Sequence, residues 1–139
     1  MPQGFSSPAA ARLARISYRQ LDYWDSQGLV RPSLRPANGH GSKREYSFED
    51  LKLLVLVAQL RERGVSLKAI AKAMKYLREQ IRRSPQSSTL VTDGKDILLV
   101  ESPESATSLG REGQLVWTAT LDLTWRDLAD RSEQERATG

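Results

Sequence analysis

Tyr18, Arg19, Gln20 and Tyr23 fall within six consecutive residues and carry phenolic, guanidinium and amide groups. These groups hydrogen-bond to phosphate oxygens and to base edges, so the chemistry on offer is recognition of a polyanion. The chain offers little for bond-making. It has no cysteine and one histidine, His40, and its carboxylates are scattered, with no nucleophile beside a base and no phosphate-cradling glycine loop. An enzyme is therefore not expected, nor a metal site, a disulfide or a cofactor.

An outward polar set needs an element to present it. Ser17 is a helix N-cap with Gln20 three residues on, the pattern of a capping box. Leu21 and Trp24 should point inward with Ile16 and Leu29, and Gly28 should stop the helix. Upstream, residues 1 to 6 read as a polar disordered arm, and Ser7-Pro8 as the start of a short helix over the small residues Ala9 to Ala14. Helix, tight turn and helix is the result.

After Gly28, the prolines and glycines of 32–41 exclude helix, and Asn38-Gly39 signals a hairpin. The segment reads as a two-stranded wing with Arg35, His40, Lys43 and Arg44 about its tip and return strand. Arg35 and Arg44 are expected to reach a phosphate backbone, whereas His40 is read as a solvent-exposed loop residue. Ser47 and Asp50 then cap a third helix with a stripe of Leu51, Leu54, Val55, Val57 and Ala58, ending before Gly64. Ser66 caps a fourth, where Leu67, Ile70, Met74, Leu77 and Ile81 recur at spacings of three and four. Leu67, Ile70 and Met74 suit a core. Met74, Leu77 and Ile81 are also candidates for a dimer seam.

Charge divides the chain. Residues 1–83 hold 16 Lys/Arg against 7 Asp/Glu, and residues 84–139 hold 5 against 10, within a total of +4. The basic part suits nucleic acid and the acidic part a protein partner or effector. The sign changes at Ser84-Pro85, which makes the expected domains 7–83 and 89–136. In the second, strands are expected within 90–100 about Asp93-Gly94 and over 115–124. A short helix should lie between them and an acidic helix follow from Trp125. The fold class expected is α+β: a mainly helical winged helix-turn-helix followed by a small α+β unit. Trp117 and Trp125 are read as packing residues sooner than as a ligand pocket. No apolar run reaches transmembrane length and no secretory signal opens the chain, so a cytoplasmic location is expected.

Ala14 to Trp24, Gly28-Leu-Val-Arg-Pro32, Arg44-Glu-Tyr-Ser47, Asp50-Leu51 and Arg63-Gly-Val-Ser-Leu-Lys-Ala-Ile70 together resemble the MerR family of winged-helix transcription regulators, over about residues 7–83. Tyr18-Arg-Gln-Leu-Asp-Tyr-Trp24 with such a tail resembles an actinobacterial subgroup that includes FtsR-like regulators. The resemblance implies a homodimer on inverted promoter repeats, with the second helix in the major groove and RNA polymerase as a possible partner. It implies groove contacts from Tyr18, Arg19 and Gln20 beside Ser17, and phosphate contacts from Tyr23, Arg35, Lys43 and Arg44. Asp22 stands where the family has arginine, and is expected to pair with Arg19 or to accept from a cytosine amino group. The family's sensor cysteines are missing, which leaves no metal or redox effector class. The alternative is an architectural DNA-binding protein, excisionase-like or chromosome-anchoring, without effector sensing.

Overall fold

The computed structural model describes residues 4–35, 44–83, 87–92, 97–100, 119–124 and 126–138. Helices α1 (Ser7–Ala14), α2 (Tyr18–Ser26), α3 (Phe48–Glu62) and α4 (Leu67–Arg83) are followed by strands β1 (Ser87–Thr92), β2 (Ile97–Val100) and β3 (Ala119–Thr124), and by helix α5 (Arg126–Thr138). The described chain is mostly helical, with a helix-turn-helix at its start.

Local chemistry sets the helix ends. Ser6 caps α1, accepting from the Ala9 N–H at 3.3 Å, so the cap lies one residue before the expected Ser7. Helix α1 closes with Ile16 N–H donating to Ala11 C=O and Arg15 N–H to Arg12 C=O, with Arg15 left-handed at φ 60°. The same pair of bonds closes α2, where Gly28 is left-handed at φ 73°, and α3, where Gly64 is at φ 89°. Each end is a Schellman motif, which glycine accommodates without a Cβ clash and arginine does not.

The chain divides into two compact units, Met1–Ala58 with Asp127–Gly139, and Gln59–Arg126. In the first, Phe5, Leu13, Leu21, Trp24, Val30, Tyr46, Leu51, Leu54, Leu56 and Val57 are buried. Burying side chains of this size stabilises by about 1.5–3 kcal/mol each. Helix α3 is covered more widely than its expected stripe, because Leu53 and Leu56 are buried along with Leu51 and Leu54. A helix that is apolar on all sides is a central one. The arm expected to be disordered is anchored at Phe5, whose N–H and C=O both pair with Tyr46 at 2.8 Å and whose ring is buried.

Helix α5 belongs to this first unit. Arg131 Nη1 donates to Leu13 C=O at 2.6 Å, satisfying a carbonyl at the end of α1, and Glu135 pairs with Arg12. Leu128 and Ser132 of α5 are buried.

In the second unit, Leu60, Val65, Ile70, Met74 and Leu77 are buried. Strands form an antiparallel sheet in the order β2-β1-β3, with Leu90 opposite both Leu99 and Leu121. The turn at Asp93-Gly94, the helix expected before Gly110, and Trp117 and Trp125 lie outside the described residues.

Candidate nucleic-acid interface

Helix α2 is built as its sequence requires. Ser17 Oγ accepts from the Gln20 N–H at 3.0 Å while Gln20 Oε1 accepts from the Ser17 N–H at 3.0 Å, completing the capping box. Leu21 and Trp24 are buried, while Ser17, Tyr18, Arg19, Gln20, Asp22 and Tyr23 are exposed. Two large rings stand on this solvent face, Tyr18 at 53% and Tyr23 at 50% exposure.

Leu34 and Arg35 lie at the base of the segment read as a wing. Arg35 bridges to Glu45 through backbone bonds in both directions, and its Nη2 lies 2.7 Å from Glu45 Oε2. Asp50 holds this base to α3, with one oxygen, Oδ2, accepting from Ser33 N–H at 2.8 Å, Ser33 Oγ at 2.7 Å and Ser47 N–H at 2.8 Å. His40 and Lys43 lie outside the described residues.

Arg44 is buried, unlike the phosphate-reaching cation expected on the return strand of a wing. Its Nη1 donates to Asp22 Oδ1 at 3.1 Å and to Asp25 Oδ2 at 3.0 Å, and its Nη2 donates to the Tyr18 hydroxyl oxygen at 3.0 Å. The guanidinium carbon also lies 5.5 Å from the centre of the Tyr18 ring. Burial works against its charge, but the bonds to Asp25 and Tyr18 outweigh burial and raise its pKa further, so it is cationic throughout the working range. Asp22 therefore pairs with Arg44, where Arg19 was the expected partner, and its side chain stays 67% exposed. The reason is geometric, since Asp22 and Asp25 are three apart on α2 and offer one guanidinium two carboxylates. Sequence reasoning missed Asp25, whose spacing from Asp22 marks a shared helix face but does not name the cation that joins them.

Beneath the site, the Tyr46 hydroxyl is buried with no hydrogen-bond partner among the described residues, and burial pushes its pKa up to about 12. A cleft of about 480 Å³ opens between Gly4, Ser6, Pro8, Tyr18, Arg35 and Glu45. Among the described residues, no group of three or more His, Asp or Glu could hold a metal ion, and no helix is long and apolar enough to cross a membrane.

Met74 and Leu77, read as dimer candidates, are buried in the single chain. The side chain of Ile81 lies outside what is described.

A short helix, a tight turn and a second capped helix with an outward polar face define a helix-turn-helix protein. The chain belongs to the MerR HTH family of regulatory proteins, whose pattern matches residues 5–77. It is 38% identical over 125 residues to an HTH-type transcriptional regulator of Mycobacterium tuberculosis, an alignment covering 90% of this chain and 56% of that protein. It is 31% identical over 85 residues to the HTH-type transcriptional regulator TnrA of Bacillus subtilis, covering 61% of this chain and 74% of TnrA. A probable heavy metal-dependent transcriptional regulator of Haemophilus influenzae is 30% identical over 83 residues, covering 60% of this chain and 62% of that protein. The chain thus spans little more than half the length of the mycobacterial relative. The family and these relatives are regulators of transcription, not enzymes.

Proposed function

We propose that this chain binds double-stranded DNA at specific sequences, as a homodimer on inverted promoter repeats, and regulates transcription from there. The observation that carries the reading is the two-faced α2, with Leu21 and Trp24 buried and Tyr18, Arg19, Gln20 and Tyr23 presented outward. Tyr18, Arg19 and Gln20 read base edges in the major groove. Ser17, Tyr23, Arg35 and Lys43 contact the backbone, the last two from the expected two-stranded wing. Arg44 acts through the groups it holds.

Residues 7–83 form the DNA-binding domain in this reading. Residues 89–136, of which α5 folds with the first unit, supply the part that pairs two copies, receives an effector or meets RNA polymerase. Burial of Met74 and Leu77 within one chain supports pairing through the later unit, since an α4 seam would first have to open that packing. The narrower FtsR-like assignment rests on the resemblance of Tyr18 to Trp24 together with the tail. A cytoplasmic location follows from the proposed role.

The test is selection of bound sequences from a random duplex library with the full chain. Recovery of one spaced inverted repeat supports the reading. Cooperative coating without an enriched sequence would overturn it in favour of the architectural role.

A further inference from the structure

We infer that Arg44 sets the hydrogen-bonding polarity of the reading face, making Tyr18 a donor to base acceptors and Asp22 an acceptor from base amino groups. The inference rests on the proposed DNA-reading role of α2, while the network beneath it is a property of the free protein.

A guanidinium donates hydrogen bonds and accepts none. The 3.0 Å contact between Arg44 Nη2 and the Tyr18 hydroxyl therefore has one direction, with Tyr18 accepting. Its own O–H must point elsewhere, and the half-exposed ring carries it on the outer face of α2. Pressed against a duplex, that proton has to meet an acceptor or forfeit its bond to water. Purine N7, guanine O6 and thymine O4 satisfy it, whereas the amino groups of adenine and cytosine do not.

Asp22 lies one turn further along α2. Its Oδ1 is occupied by Arg44, and its side chain remains 67% exposed. Oδ2, which has no partner among the described residues, accepts only, so its complement is the amino group of cytosine or adenine.

The same network argues for bases over phosphates. One guanidinium stands between the two carboxylates of Asp22 and Asp25, so this cluster by itself carries a formal charge of −1, with the exposed Arg19 beside it on the same helix. A phosphate there meets repulsion, and a neutral base edge does not.

The test uses the full chain and the duplex it selects, with each base pair replaced in turn. Affinities are measured for wild type, Tyr18→Phe, Asp22→Asn and Arg44→Lys. Tyr18→Phe should weaken the selected duplex roughly 3–10-fold, the worth of one hydrogen bond, and flatten preference at one position where wild type favours an acceptor. Asp22→Asn, whose amide both donates and accepts, should broaden a different position. Arg44→Lys should broaden both, because one ammonium cannot hold two carboxylates and a hydroxyl in a fixed plane. Should Arg44→Lys fail to fold by circular dichroism, the exposed Tyr18→Phe and Asp22→Asn variants decide the matter alone. Equal weakening of every duplex by Tyr18→Phe would put the hydroxyl on a phosphate and overturn the inference. So would an unchanged base preference in both variants. Failure of wild type to select any sequence would overturn the DNA reading and this inference with it.

Discussion

Asp50→Ala should cost more than any other single polar change in the helix-turn-helix unit. The buried Asp50 Oδ2 accepts from Ser33 N–H, Ser33 Oγ and Ser47 N–H, all within 2.8 Å, so one atom both caps α3 and ties down the approach to Arg35. Hydrogen bonds to a charged acceptor contribute roughly 1.5–3 kcal/mol each, and water recovers part of the loss because Ser33 is exposed. With the loss of the cap, we expect a total of roughly 3–4 kcal/mol. Asp50→Asn keeps an acceptor at the same place without the charge and should cost about half as much. Urea unfolding followed by circular dichroism at fixed protein concentration reads both values, and an unchanged m-value shows that stability alone has moved. A loss below about 1 kcal/mol for Asp50→Ala would refute the reasoning, since the cap alone accounts for that much.

Arg15→Gly should stabilise the protein by roughly 0.5–1 kcal/mol, because Arg15 occupies the left-handed position that Gly28 and Gly64 fill elsewhere; Gly28→Ala in the same denaturation assay should move the other way. Leu128→Ala, at a buried position on α5, should destabilise by roughly 2–4 kcal/mol and lower hydrogen-exchange protection in α1, to which Arg131 bonds; unchanged protection there would count against α5 as a support. Burial lifts Tyr46 to about 12, so between pH 10 and 12 the unfolded chain releases a proton that the folded chain keeps. Its contribution is complete below pH 10 and is lost as pH rises through 12, and Tyr46→Phe should remove that decline from a series of melting curves.

What could be read from the residues was chiefly local. The Ser17–Gln20 capping box, the Ser47–Asp50 cap and the stop at Gly28 each depend on residues a few positions apart, so spacing and side-chain chemistry are enough. The inward pair Leu21 and Trp24 follows from helical period alone. The partners of Arg44 were out of reach, because Asp22 and Asp25 are 22 and 19 residues away and nothing local orients a wing residue toward them. Phe5 pairing with Tyr46, and Arg131 reaching Leu13, are non-local for the same reason. Arg15 was hidden differently, since an arginine gives no sign that its backbone is left-handed.

The residue that looked least suited to DNA shows how far the missing contacts change the reading. A bare carboxylate at Asp22 would repel the backbone and weaken any duplex. Held 3.1 Å from a buried cation that it shares with Asp25, it keeps one oxygen without a partner among the described residues. Partly neutralised in this way, the carboxylate costs less in attraction to the duplex and retains its capacity to accept. A positive residue at the same position would strengthen binding to every sequence alike. In the proposed reading, Asp22 gives up some of that uniform affinity, and what it contributes differs between bases that present an amino group and bases that do not. The cation that permits this sits on a different segment from the helix that reads, so displacing Arg44 should alter which sequences are bound before it alters whether DNA is bound at all.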